Sequence, residues 1–185
     1  MAFADGGFEG ATARVARVSF TGDRSYEVTV PASKAAALLA AMVEAGHAFD
    51  AFPMGSEALL LLRAEKGFLI AGKDTDGTTM PHDLGIAGPR DKRAGEYVGK
   101  RSLFTDEAMR DDRQQLVGLS VDGKTPLPTG AHAVETIGGV RRSVGFVTSS
   151  YYSPTLARPI TLALVRRGLE RIGEMIDLVH LGRPF

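Results

Sequence analysis

Apolar and polar positions alternate twice near the start of the chain. From Ala13 to Phe20 valines interleave with arginines, as in Arg14-Val15-Ala16-Arg17-Val18, and this period of two predicts a half-buried strand. Thr21-Gly22-Asp23-Arg24 supplies a turn, and Ser25 to Val30 alternates again until Pro31, whose fixed φ and missing N–H end a ladder. The two segments predict a β-hairpin. From Ser33 to Ala45 the period changes: Leu38, Leu39, Met42 and Val43 form a stripe on one helical face, with Gly46 as the stop. A second helix is predicted over Ser56 to Lys66, with Ser56 capping the free N–H groups, Glu57 at the positive end of the dipole and Gly67 taking the left-handed position beyond the last turn. The run Leu59 to Leu62 implies burial on more than one side. Phe68-Leu69-Ile70-Ala71 then reads as a short inner strand ahead of the loop Asp74-Thr75-Asp76-Gly77.

Between Ile86 and Arg113 the pattern turns polar and charged, with a short helix near Lys100 to Arg110, and this stretch reads as a connector between domains. Beyond it only strands are predicted: Gln115 to Val121, Ala131 to Ile137, Ser143 to Ser149, Ile160 to Arg166 and Glu174 to His180. Asp122-Gly123, Gly138-Gly139, Ser153-Pro154 and Arg167-Gly168 punctuate them, and strands at this spacing predict a small barrel or sandwich.

Composition narrows the classes. The 185 residues carry 22 Lys+Arg against 22 Asp+Glu, so the basic footprint of a nucleic-acid or anionic-membrane binder is absent. With 44% hydrophobic residues and no cysteine, a core without disulfides or thiolate metal sites is expected. The start of the chain has neither a basic nor an apolar targeting region, which makes the cytoplasm the expected compartment. The leucine run stops at Arg63, far short of the roughly 20 apolar residues that span a bilayer.

Short motifs add little. The nucleophile elbow, the phosphate loop and the dinucleotide fingerprint are all missing, so flavin or nicotinamide binding has no support within this chain. His47, His82, His132 and His180 stand singly, unlike paired zinc ligands, and no metal site is expected. Asp74-Thr75-Asp76-Gly77 lacks the third ligand and the closing Glu of a calcium loop, and reads instead as acids making local turn hydrogen bonds.

Longer phrases carry more. Arg17-Val18-Ser19-Phe20-Thr21-Gly22-Asp23-Arg24-Ser25-Tyr26-Glu27-Val28 resembles the hairpin of the aminomethyltransferase, or glycine-cleavage T-protein, superfamily. Gly55-Ser56-Glu57-Ala58, Leu62 to Phe68, Gly72 to Thr78, Pro81-His82-Asp83-Leu84-Gly85, Val98 to Leu103 and Gly145 to Leu156 follow in order, and together resemble the alpha subunit of heterotetrameric sarcosine oxidase. T-proteins usually have Ala-Arg-Asp where this chain has Ala58-Leu59-Leu60, and commonly Thr where it has Met80. The resemblance implies an α+β, T-protein-like fold: residues 1–85 as the C-terminal portion of a folate-binding domain, 86–113 as connector, and 114–185 as a small C-terminal β-barrel.

The resemblance further implies tetrahydrofolate as ligand. It would make Glu27 the pteridine anchor, since a carboxylate accepts the 2-amino group and N3–H of a pterin in parallel, and Phe20 the aromatic that packs on the ligand. Taken without the phrase, Glu27 is a solvated cross-strand residue. Arg63 and Glu65, two apart on a helix, do not face one another and are expected to pair outside it, anchoring the Asp74 loop rather than touching ligand. The hydroxyls of Thr148 to Tyr152 are expected to satisfy a turn. No catalytic residue is implied in this chain, because the T-protein's catalytic Asp belongs to an earlier part of that fold. FAD, FMN and NAD are expected elsewhere in the full enzyme. Partners are then reduced folate, other sarcosine oxidase-like subunits or the missing N-terminal half, with no nucleic acid and no membrane. The leading function is a portion of a sarcosine oxidase alpha-like protein that helps move the one-carbon unit released by sarcosine oxidation. The alternatives are a free-standing folate-dependent aminomethyltransferase and a non-catalytic subunit-assembly module.

Overall fold

A computed structural model describes residues 2–86 and 95–185. The chain divides into two compact units, Met1–Phe68 and Leu69–Phe185. The charged run Gly88 to Arg93 in the expected connector lies outside the described residues.

The first unit opens on three antiparallel strands in the order β1 (Ala2–Phe8), β2 (Ala11–Arg17) and β3 (Glu27–Thr29). The expected hairpin is β2–β3, in the register Arg14↔Thr29, Val15↔Val28 and Ala16↔Glu27, shorter at both ends than the alternation suggested. β1 escaped the sequence reading because Ala2–Phe8 has two glycines and no apolar period; six of its seven residues are exposed. Helix α1 (Ala35–Gly46) follows a 3-10 turn at Ala32–Lys34. Gly46 does not stop it. That residue keeps right-handed geometry, a 3-10 turn His47–Phe49 continues the coil, and Asp50 takes the left-handed position at φ 52°. Helix α2 (Ser56–Glu65) has Gly55 at its N-cap and no side-chain cap, so Ser56 is the first helical residue rather than the cap. Gly67 is left-handed as expected, at φ 75°.

Burial in this unit departs from expectation. Leu59 to Leu62 are only half-buried, and the buried residues of α2 are Arg63 and Ala64. Ala13 and Ala64 are the only buried hydrophobic residues described in this unit.

The second unit is built on a six-stranded antiparallel sheet in the order β4-β7-β6-β5-β8-β9, with β4 (Gln114–Leu119), β5 (His132–Ile137), β6 (Val140–Ser153), β7 (Arg158–Arg166), β8 (Asp177–His180) and β9 (Arg183–Pro184). All five strands expected here are present, and β9 is additional. Gly138 and Gly139, at φ 60° and 79°, form the two-residue β5–β6 turn that requires positive φ at both positions. Leu127, Ala131, Ala133, Val144, Val147 and Leu178 make one buried cluster, and Val117, Ala163 and Val165 a second. Phe68 to Ala71 does not form a strand; the chain from Ala71 to Gly85 runs as successive turns. The helix expected near Lys100 to Arg110 is a single 3-10 turn, Arg101–Phe104, followed by further turns.

β6 carries two register shifts. Its partners jump from Gly145 to Ser143 on the β5 side, and from Val147 to Ser149 on the β7 side, leaving Val144 and Thr148 as extra residues. Such bulges bend a strand and increase its twist, as a closing sheet requires.

Candidate functional site

Between β2 and β3 the chain makes a polar loop. The Gly22 N–H donates to Ser19 Oγ at 2.8 Å, and the Ser25 hydroxyl donates to the Asp23 carbonyl at 3.3 Å. The Lys66 side chain lies across Gly22, whose φ is +92°; a Cβ there would sit 2.5 Å from the Lys66 methylenes. A hollow of about 300 Å³, lined by Arg17, Val18, Ser19, Gly22, Asp23, Arg24 and Ser25, is formed by this loop.

Neither expected ligand residue borders that hollow. Glu27 is the first residue of β3, opposite Ala16, and its exposed carboxylate has no hydrogen-bond or ion-pair partner among the described residues. Phe20 lies on the loop with 36% of its surface exposed. The hairpin thus presents an acceptor and an aromatic ring to solvent, seven positions apart in sequence.

Three acids hold the loop from Ile70 to Gly85: Asp74 and Asp83 bond to residues outside it, and Asp76 braces it from within. Asp74 is fully buried: its carboxylate accepts the hydroxyls of Thr148 and Ser149, the latter at 2.7 Å, and the Ile70 N–H at 2.9 Å. Neighbouring residues of a regular strand point to opposite faces, so two successive hydroxyls reach one carboxylate here because Thr148 is the bulged residue. The hydroxyls of Thr148 and Ser149 therefore satisfy a loop carboxylate from mid-strand rather than a turn at a strand end, while Ser150 Oγ meets Thr161 Oγ1 and the Tyr151 hydroxyl accepts Lys73 Nζ. Asp76 does make the expected local turn bonds, taking the N–H and hydroxyl of both Thr78 and Thr79 on one oxygen. Those bonds, the Thr78 hydroxyl first, hold its pKa below the usual carboxylate value.

Asp83 is the third anchor. Its oxygens accept Arg113 Nε at 2.9 and 3.1 Å and Nη2 at 2.7 Å, while Oδ2 also takes the Met80 N–H. Arg113 further donates to the carbonyls of Thr78 and Glu107 and to the Glu107 carboxylate. The Asp83 carboxylate raises the Arg113 pKa above its ordinary value. A cleft of about 270 Å³ opens beside this pair, lined by charged side chains that include Asp76, Glu107, Arg110 and Arg166. Arg110 is paired with Glu107 and Asp112, and Arg166 with Glu135, so each arginine of the cleft wall has a carboxylate partner.

Arg63 is also fully buried, and its Nη1 donates to the Phe68 carbonyl, beyond the helix end, at 3.0 Å. Asp83 and Arg113 were missed by sequence reasoning, since nothing local links residues 30 apart. For Asp74 a signal was available: the polar run Thr148-Ser149 follows Val144 to Val147 within β6, and buried hydroxyls demand a partner. Among the described residues no group of three or more His, Asp or Glu is placed to hold a metal ion, and no helix is long and apolar enough to cross a membrane.

The GCVT N-terminal domain model matches residues 1–88, and the model of the glycine cleavage T-protein C-terminal barrel domain matches residues 114–185. This chain belongs to the glycine-cleavage T-protein superfamily. The T-protein-like α+β fold follows, and the resemblance to sarcosine oxidase alpha subunits holds: the subunit from Corynebacterium sp. (strain P-1) is 42% identical over 173 residues, covering 90% of this chain and 18% of that protein. The aminomethyltransferase of Halothermothrix orenii is 31% identical over 98% of this chain and 49% of its own length. In structure, the aminomethyltransferase of Bartonella henselae shares the fold with a TM-score of 0.76 at 23% identity, over 93% of this chain and 46% of that one. The chain thus spans about half of these T-proteins and about a fifth of the oxidase subunit.

Proposed function

We propose that this T-protein-like chain binds tetrahydrofolate through its β2–β3 hairpin and serves as the folate-region and barrel portion of a sarcosine oxidase alpha-like assembly, helping to transfer the one-carbon unit released by sarcosine oxidation. The observation that carries the reading is the Glu27 carboxylate, exposed and without a partner among the described residues, on the hairpin of the GCVT N-terminal domain. A planar carboxylate accepts the adjacent 2-amino and N3–H donors of a pterin as two parallel hydrogen bonds. Phe20 supplies an exposed aromatic face for the ring. A carboxylate there also stabilises positive charge developing on an iminium species. Flavin and nicotinamide chemistry belongs, in this reading, to other parts of the full enzyme, and other oxidase-like subunits are the partners. The cytoplasm is the compartment that suits them.

Titration calorimetry with a reduced folate tests this. Binding is expected to weaken at least roughly tenfold in Glu27→Gln, because the amide replaces one acceptor with a donor facing a donor. Unchanged affinity would remove Glu27 from the site, and no binding by either the chain or its mixture with the remainder of a T-protein fold would sink the folate reading. The extent of exposed apolar surface in the first unit favours a second reading, a non-catalytic assembly module, which predicts no folate response.

A further inference from the structure

We infer that the α1 face bearing Leu39 and Met42, continued by Phe49, Phe52 and Met54, is a docking surface for the part of a T-protein folate domain that lies outside the region matched by this chain. The inference rests on the family reading and not on folate binding. Eleven of the twelve α1 residues are apolar or glycine, Glu44 being the exception, yet none of the twelve is buried. Ala35, Leu39 and Met42 fall at i, i+4 and i+7, and Phe49 is seven residues further on. Leu39 is 63% exposed, Phe49 83% and Phe52 82%. The Ala51 N–H donates to the Gly46 carbonyl and closes a turn at the helix end, where exposed Phe49 and Phe52 follow the stripe in sequence.

A helix this short is marginal in water without tertiary packing. The extensive contacts of α1 are with the 3-10 turns on either side of it, which bury none of its residues. The sheet of the same unit is equally open, since β1 and β3 each have an unpaired outer edge among the described residues. Contiguous apolar patches beyond a few hundred Å² mark interaction surfaces.

The occupant follows from charge and from length. α1 carries no Lys or Arg, which argues against an anionic membrane surface. Aminomethyltransferases that share this fold contain about as much chain again, since 49% of the Halothermothrix orenii protein is matched here. That unmatched half is of the right scale to cover one face of a unit whose buried hydrophobic residues, among those described, are two alanines.

The test is hydrogen exchange on the full chain, alone and co-produced with the unmatched half of the Halothermothrix orenii aminomethyltransferase, without folate. Alone, the chain should sediment as a monomer, with α1 amides exchanging far faster than those of β6 and β7. Co-produced, the two polypeptides should co-elute, with α1 exchange slowed at least about tenfold. Leu39→Glu with Met42→Glu should abolish co-elution while leaving β6–β7 exchange unchanged, and the alanine pair, which keeps helix propensity, should weaken it less. Failure to co-elute, α1 amides that stay fast in the complex, or a self-associated chain with protected α1 would each overturn the proposal. None of these outcomes bears on Glu27, whose test is folate affinity.

Discussion

Replacing Asp83 with Ala should loosen the attachment of the Ile70–Gly85 loop to the sheet without unfolding the sheet core. Asp83 is 4% exposed, and the Arg113 side chain opposite it is 10% exposed. Removing one partner of a buried ion pair costs about 3–5 kcal/mol, chiefly because the other charge is stranded. Arg113 is not wholly stranded, since it keeps the Thr78 and Glu107 carbonyls and the Glu107 carboxylate. The Met80 N–H, in contrast, loses its acceptor. These corrections place the loss near the lower end, about 3 kcal/mol. For a cooperative unit of this size that corresponds to a fall of roughly 10 °C in melting temperature. A local readout accompanies the global one. β4 is an edge strand, and the Leu116 N–H donates outward to the Asp83 carbonyl at 2.7 Å. Its exchange should accelerate in Asp83→Ala while the amides of β6 and β7 are slowed or sped only as global stability dictates. Thermal unfolding with a double-mutant cycle against Arg113→Ala should give a coupling of at least about 1.5 kcal/mol. A loss under about 0.5 kcal/mol, or strict additivity in the cycle, would refute the assignment of this pair as the anchor.

Asp74→Ala should cost about 2–4 kcal/mol in denaturant unfolding, because a buried carboxylate that accepts two hydroxyls and an N–H disappears; a neutral result would mean water replaces it without cost. Gly145→Ala should destabilise by about 3 kcal/mol, since the new Cβ would lie 2.2 Å from the Leu164 carbonyl oxygen, whereas at Gly118 the nearest atom is 3.9 Å away and Ala should be nearly neutral. Equal effects at the two glycines would contradict the packing described. Asp76 has a depressed pKa, so its contribution is present above the unfolded carboxylate value of about 3.9 and is lost as pH falls through the folded value. The Thr78 and Thr79 amide resonances should accordingly titrate with a midpoint below about pH 4, and a midpoint at or above that value would contradict the assigned hydrogen bonds.

The strands of the second unit were legible because each buries one face, so period and punctuation agree; Gly138-Gly139 fell at a turn that only positive φ can make. The bulges were not legible. Val144 and Thr148 break the alternation by a single residue each, and a one-residue insertion in an apolar strand looks the same as continued alternation with a polar lapse. That lapse, Thr148-Ser149, marks where Asp74 docks, and its long-range partner is 74 positions away in sequence. The Asp83–Arg113 pair was hidden for the same reason: nothing local links residues 30 apart. In the first unit the helices were legible from propensity and period, yet their burial was not. Leu59 to Leu62 suggested a core, and the structure leaves them half-covered because no described element packs over both sides of α2. Phe20 and Glu27 rested on the family phrase alone, since an exposed Glu in a hairpin has no pattern of its own.

The openness of the first unit bears directly on how Glu27 would work. In the chain as described its carboxylate faces water, where each hydrogen bond to a pterin displaces one to solvent and nets only about 0.5–1.5 kcal/mol. Covering the hairpin with an apolar layer removes that competition and strengthens a charge-assisted pair, because the effective dielectric falls. Folate affinity and docking of the complementary half are therefore expected to be coupled. By linkage, a folate that binds about tenfold tighter in the complex must tighten the complex by the same factor, a coupling of about 1.4 kcal/mol. Calorimetry of folate into the chain and into the complex, with sedimentation of the complex at zero and saturating folate, measures both sides of that cycle. Tighter folate binding without a matching gain in association would show that the two measurements do not share one equilibrium. Equal folate affinity in both states would place Glu27 outside the surface that docking covers.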